Sequence, residues 1–207
     1  MGVAASVFVV DDDPSVRKSL TRVIESAGYT VEAFASARDF LKAAPTSGPC
    51  CLVLDVRMPG ITGLDLQKTL ARAVHRIPVV FITGHGDIPM SVKAMKAGAI
   101  DFLTKPFAAK DLLGAIQRAV DKDTRDLGQE ALARSIDARV KTLTARERQV
   151  FALVVTGMLN KQIATQLGVV EKTVKVHRAR VMEKMRAGSV AELVRLADAV
   201  GVIVAKT

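Results

Sequence analysis

The run Cys50-Cys51-Leu52-Val53-Leu54 carries no charged side chain, and it is followed at once by Asp55 and then by the turn-forming pair Pro59-Gly60. Successive side chains of a strand point to opposite faces, so a strand apolar at every position must be covered on both sides. This run is therefore predicted to be the central strand of a sheet sandwiched between helices. It also puts a single carboxylate at the carboxyl end of that strand, in the crevice where open α/β sheets bind ligands. Val7-Phe8-Val9-Val10 similarly runs into Asp11, Asp12 and Asp13, and Thr83 and Lys105 each follow a further apolar, strand-like run.

Around these strands the front half alternates strand and helix patterns. Strands are expected over 3–10, 29–35, 50–54, 78–82 and 100–104. Helices are expected over 14–27, 37–44, 63–73, 88–97 and from 108 to about 121. Val16, Leu20, Val23, Ile24 and Ala27 share one face of the first helix, and Leu112, Leu113, Ile116, Ala119 and Val120 form the inner stripe of the fifth. Five strand-helix units with right-handed crossovers give a five-stranded parallel, doubly wound α/β sheet.

The segment 122–141 is charged, with sparse apolar positions at Leu127, Leu132, Ile136 and Val140, and reads as a partly helical linker. Beyond it no strand pattern occurs. Thr144-Ala145-Arg146-Glu147 has capping-box spacing, which places a helix start there. Helices are expected to about 156, over 160–167, from about 171 to 186 and over 189–201. The three-residue turn Gly168-Val169-Val170 before a basic helix is a helix-turn-helix layout. Three segments follow from this reading: 1–121, the linker 122–141, and an all-α four-helix domain over 142–207.

Charge is unevenly placed. Residues 1–121 carry a net charge of +2 and residues 122–207 a net of +7, so nearly all of the total of +9 lies in the back half. A small basic domain without a broad apolar helix face suits a polyanion better than a membrane. No uncharged apolar stretch approaches the roughly 18 residues that would span a bilayer. The first ten residues lack the features of a secretory leader, which points to the cytoplasm. Cys50 and Cys51 are adjacent in a strand and face opposite ways, so they are expected to be buried thiols and not a bridge or metal site.

The front half resembles the receiver domain of two-component response regulators. The residues that carry the likeness are Asp11-Asp12-Asp13 with Pro14 and Arg17, Asp55-Val56-Arg57-Met58-Pro59-Gly60, Thr83-Gly84, and Asp101-Phe102-Leu103-Thr104-Lys105-Pro106-Phe107. Singly each is weak; three acids at a strand end are most often a solvated loop. The resemblance implies that Asp55 accepts a phosphoryl group and that Asp11, Asp12, Asp55 and the backbone carbonyl of Arg57 hold Mg²⁺. It also implies that Lys105 and the Thr83 hydroxyl contact phosphoryl oxygens, that Thr83 and Phe102 form the switch, and that Lys105-Pro106 is cis. Asp13 and Asp101 are read as loop and surface acids. Arg57 and His85 occupy positions that tune dephosphorylation in relatives, a surface histidine being the alternative for His85.

The back half resembles LuxR-type helix-turn-helix domains, and the combination resembles the FixJ-like regulators. Leu143-Thr144-Ala145-Arg146-Glu147-Arg148, Gly157 to Ala164, Leu167-Gly168 and Glu171 to Arg180 carry this likeness. A helix of this size fits the major groove. Val174, Val181 and Met185 are expected to face inward. Lys172, Thr173, Lys175, Val176, Arg178 and Ala179 are the candidates for the DNA-facing side, and Arg178, Arg180, Lys184 and Lys161 those for phosphate contacts. Relatives often have Ser or Thr where Val170 stands, so the recognition helix is expected to lack a side-chain cap.

Taken together, the chain reads as a cytoplasmic transcriptional regulator and not an enzyme. Its expected partners are a sensor histidine kinase, promoter double-stranded DNA, a second copy of itself on phosphorylation, and RNA polymerase. A phosphatase using an aspartyl-phosphate generally needs an acid two residues after the nucleophile, where this chain has Arg57.

Overall fold

Among the described residues of the computed structural model, 5–43, 48–72, 76–84 and 88–201, five strands alternate with helices and then helices alone follow. The elements are β1 (Ser6–Val10), α1 (Pro14–Ser26), β2 (Thr30–Phe34), α2 (Ala37–Lys42), β3 (Cys50–Asp55), α3 (Gly63–Leu70), β4 (Val79–Thr83), α4 (Ile88–Lys96), β5 (Asp101–Thr104), α5 (Ala109–Lys141), α6 (Ala145–Val155), α7 (Asn160–Leu167), α8 (Glu171–Met185) and α9 (Val190–Ala199). The chain divides into two compact units between Leu127 and Gly128. Residues 3–4, 44, 73 and 85, on which parts of the expectations above fell, lie outside the described residues.

In the first unit all strands pair in parallel in the order β2-β1-β3-β4-β5. The central run is buried at each of its six positions, as its composition requires. Its side chains alternate between two cores. Cys50, Leu52 and Leu54 pack with Phe8, Val10 and Phe81 under Phe40, Leu66 and Ala94 of α2, α3 and α4. Cys51 and Val53 pack with Val7, Val9, Val80 and Ile82 under Leu20 and Ile24 of α1 and Leu112 and Ile116 of α5. The two cysteines are not bridged and lie on opposite faces. Burial pushes the Cys50 thiol up to about 12 and raises that of Cys51 further.

Among its described residues the second unit has helices and no strand. Ile136, Leu143, Val150, Phe151, Val154, Ile163, Val174, Val181, Met185 and Leu193 form its core. The capping box at Thr144 is present: its hydroxyl accepts from the Glu147 N–H, and the Glu147 carboxylate accepts from the Thr144 N–H. Gly168 ends α7 in the left-handed conformation at φ 64°, which a residue without a Cβ adopts at no steric cost. Val170, extended before α8, contributes no side-chain cap, so that helix starts without this stabilisation, as its sequence indicates.

The main departure from the sequence reading is the segment 122–141. It is helical from end to end, because α5 runs through it without a proline. The i,i+4 pairs Lys122–Asp126, Glu130–Arg134 and Asp137–Lys141 line its exposed side. Its inward residues belong to the two cores. Asp123 is fully buried and accepts a 2.8 Å hydrogen bond from the Cys50 backbone N–H. Ile136 is fully buried in the second core, whereas Leu132 is 52% exposed. Ile136→Ala is therefore expected to destabilise the second unit by about 2 to 5 kcal/mol. Leu132→Ala should stay within about 0.5 kcal/mol. Urea denaturation of the full chain, followed by circular dichroism, measures both, and equal small effects would mean that this helix does not contribute to the core.

Candidate functional site

The parallel ladder decides where the polar side chains emerge. Val10 pairs with Leu54, Asp55 with Ile82, and Thr83 with Thr104, so the residues that follow leave the sheet at one common edge. Backbone bonds continue one step past the strands: Asp11 N–H to Phe34, Val56 N–H to Ile82, and Lys105 N–H to Thr83 at 2.7 Å. Asp11, Asp12, Asp55, Thr83 and Lys105 are thereby gathered at one edge although they come from four strand ends. Each of Asp11, Asp12 and Asp55 offers a carboxylate oxygen within 4.8 Å of the others.

These groups differ in exposure. Asp11 is fully buried, Asp55 is 8% exposed, Thr83 is 1% exposed, and Asp12 is open to solvent. Lys105 Nζ donates to Asp11 Oδ2 at 2.7 Å and lies 3.9 Å from Asp55 Oδ1. That Asp55 oxygen is buried and accepts no hydrogen bond. Burial is the main reason that the Asp55 carboxyl is raised to about 6. Lys105 and the Val56 N–H pull it down, and Asp11 and Asp12 push it up. One ammonium thus faces several carboxylates, and the excess negative charge falls on Asp55.

Supporting contacts fix the loops. Arg17 Nη1 donates to the Asp11 carbonyl at 2.7 Å, and the Asp11 carboxylate accepts from the Asp13 N–H. Asp13, read as a loop acid, is the N-cap of α1, accepting from the Ser15 and Val16 N–H groups. Asp101, read as a surface acid, pairs with Arg118 and accepts from the Phe102 N–H. Gly63 was not singled out from sequence. Its N–H donates to the Val56 carbonyl at 3.0 Å, and a Cβ there would overlap the Asp55 carbonyl oxygen. Only its approach to the β3 end reveals this, since a glycine opening a helix carries no such signal in the sequence. Lys105-Pro106 is cis. Phe102 is half-buried with its ring centroid 6.2 Å from that of Phe81, and the Arg57 side chain is exposed. His85 lies outside the described residues.

In the second unit Val174, Val181 and Met185 are buried, which turns the opposite side of α8 outward. Lys172, Lys175, Val176, Ala179 and Arg180 are exposed there, Thr173 is half-buried, and Lys161 is exposed on α7. Two of the candidate cations are engaged by residues of other helices. Arg178 donates to Asn160 Oδ1 at 2.9 Å, tying α8 to the start of α7. Lys184 lies 2.6 Å from Glu147 Oε2 and also donates to the Thr142 carbonyl, so it braces α8 against the α6 cap. Glu147 is 2% exposed, and the Lys184 bond, followed by the Thr144 N–H, holds its carboxyl at about 2. The capping role of Glu147 was visible in its spacing from Thr144; its pairing with Lys184, 37 residues on, was not.

The Asp55 environment sets a pH dependence. Because its carboxyl binds a proton more tightly in the fold than the ordinary value of 3.8 allows, the folded unit gains from protonation. That gain is complete below about 4 and is lost as pH rises through about 6. Asp55→Asn, which stays neutral, is expected to be more stable than the parent at pH 8 by up to about 3 kcal/mol. The difference should shrink toward zero near pH 4. Denaturation in a chelated buffer tests this, and a difference that does not vary with pH would show that Asp55 is not strained by its surroundings.

A family model described as the response regulator receiver domain matches residues 7–117, and one described as bacterial regulatory proteins, luxR family, matches residues 141–197. The chain is 49% identical over 198 residues to nodulation protein W of Bradyrhizobium diazoefficiens, covering 96% of this chain and 87% of that protein. It is 42% identical over 203 residues to the transcriptional regulatory protein FixJ of the same organism, covering 98% and 99%. The solved structure of the response regulator StyR aligns with a TM-score of 0.84 at 46% identity, covering 95% of this chain and 99% of that one. No helix among the described residues is long and apolar enough to cross a membrane. A receiver sheet with acids at one edge, followed by a LuxR-type helical unit and matched over nearly its whole length by such proteins, places this chain among the two-component response regulators that control transcription.

Proposed function

We propose that Asp55 is the phosphoacceptor, receiving its phosphoryl group from the phosphohistidine of a sensor histidine kinase. The observation that supports this best is the buried Asp55 oxygen that accepts no hydrogen bond, 3.9 Å from Lys105 and beside two further carboxylates. In the transfer an Asp55 oxygen bonds to phosphorus while the bond from phosphorus to the histidine nitrogen breaks. Lys105, now on Asp11, is within reach of the oxygens that arrive on Asp55. The buried Thr83 side chain, at the same edge, would contact another.

The donor set fits a hard divalent cation, because it offers only oxygens and leaves one buried carboxylate oxygen without a hydrogen bond. Asp11, Asp12, Asp55 and the carbonyl of Arg57 are the residues that would hold Mg²⁺. Bound there, the ion offsets the negative charge of acceptor and phosphoryl group together. Residues 1–121 would form the phosphoacceptor domain and 142–207 the DNA-binding domain, joined through 122–141.

The response follows from the same residues. A hydrogen bond from Thr83 to the phosphoryl group draws in the loop after β4, and Phe102 turns inward beside Phe81. The α4 and β5 surface, where Ile88 is 81% exposed and Val92 and Met95 are 45% exposed, then pairs with a second copy. Pairing raises the effective concentration of the helical domain at paired half-sites on promoter DNA. The protein acts in the cytoplasm, where the bound regulator meets RNA polymerase.

Acetyl phosphate with Mg²⁺ is expected to label the wild-type protein, drive dimerisation in analytical ultracentrifugation and tighten promoter binding. Asp55→Asn should take up no label and remain monomeric; label that survives in this variant would rule out Asp55 as the acceptor. Mg²⁺ alone should raise the melting temperature of the wild type, and Asp12→Ala should abolish that rise. On the DNA side, Lys172→Ala and Arg180→Ala should each reduce the slope of log affinity against log salt by about 1. Lys184→Ala should instead lower thermal stability and leave the slope unchanged, because its ammonium is spent on Glu147. A slope change in Lys184→Ala would return it to the phosphate contacts.

A further inference from the structure

At the opposite end of the strands from Asp55, a cavity of about 210 Å³ opens between the carboxyl ends of α3 and α4 and the start of β4. Leu70, Ile77, Val79 and Ile100 give it apolar walls. Among the described residues its charged lining side chains, Arg76 and Lys122, are both cations and both exposed at the rim, and no acid lines it. Lys122 also pairs with Asp126 across one turn of α5, while Arg76 makes no ion pair among the described residues.

The inner end carries one unused acceptor. Gln67 is 5% exposed and lines the cavity. Its Nε2 donates to the Ala94 carbonyl of α4 at 3.3 Å, which fixes the amide, but its Oε1 accepts no hydrogen bond. A buried carbonyl oxygen without a donor is uncommon in a folded protein and marks a place for a bound donor group. Cations outside, the Gln67 oxygen inside and apolar walls between them ask for a ligand of matching polarity.

We infer that this cavity binds a compact carboxylic acid with a flat apolar body and one hydrogen-bond donor, its carboxylate on Arg76 and its donor on Gln67. Size limits the class. A cavity of about 150 Å³ already accepts a benzene ring, whereas drug-sized ligands need about 300 Å³ or more. A single substituted ring fits here; a nucleotide does not. The site shares no residue with the phosphoacceptor edge and stands independently of the function proposed for that edge.

The test is a titration of the full-length protein, followed by two-dimensional amide NMR, with 3-hydroxybenzoate, benzoate and 3-hydroxybenzyl alcohol. Saturable shifts in α3, α4 and the start of β5 are expected with 3-hydroxybenzoate, with a Kd of about 1 mM or tighter. Benzoate should bind about 3- to 10-fold more weakly for want of the donor, and the alcohol about 10-fold more weakly or worse for want of the charge. Gln67→Leu should erase the preference for the hydroxyl while keeping benzoate binding, and Arg76→Gln should erase the preference for the carboxylate. Asp55→Asn should leave all three affinities unchanged, so phosphoryl chemistry and this site can fail separately. Absence of saturation up to roughly 10 mM, shifts elsewhere in the chain, or equal affinity for the three probes would each overturn the inference.

Discussion

A carboxylate taken out of water beside two others is the constraint from which the first unit is organised. Burying a negative charge is unfavourable unless a partner offsets it, and here one lysine serves the whole group. Its ammonium sits on Asp11 and leaves Asp55 short of compensation. Such an arrangement persists only because the surrounding sheet holds it. β1, β3 and β4 are buried on both faces, their ladder continues past the last paired residues, and the Gly63 backbone closes tightly on the β3 end. The rigid sheet keeps an electrostatically unfavourable edge in place.

The second unit solves a different problem, that of presenting cations without tying them to other helices. Its core uses one side of α8, through Val174, Val181 and Met185, and leaves Lys172, Lys175 and Arg180 outside. Lys175 has only an exposed partner one turn away, Glu171, of the kind that salt and a polyanion readily displace. Arg178 and Lys184 are withdrawn from that surface and serve as struts between helices. Basic residues as little as two positions apart on one helix thus have separate tasks, set by which neighbour lies within reach.

Much of the fold was legible in the sequence because it follows from local pattern. The unbroken apolar run 50–54 dictated a central strand, alternation along the strands divided the two cores, and the Thr144 to Glu147 spacing fixed the start of α6. The acids and the lysine were recognisable because each follows an apolar run, which puts it at a strand end. What sequence reasoning missed depends on contacts between distant residues. Asp123 and Ile136 lie in a charged stretch of linker-like composition, and nothing nearby in the chain indicates that one meets Cys50 and the other the second core. The partners of Arg178 and Lys184 likewise lie 18 and 37 residues away.

The adjacent cysteines at the start of β3 have a practical consequence. One thiol faces each layer of helices, and both are kept protonated by burial, so neither offers the thiolate that alkylating reagents and oxidants attack. Their reactivity can emerge only when the sheet itself comes apart. The first unit therefore carries an intrinsic reporter on each side of its sheet, silent while the fold is closed and exposed together with the strand that ends in Asp55.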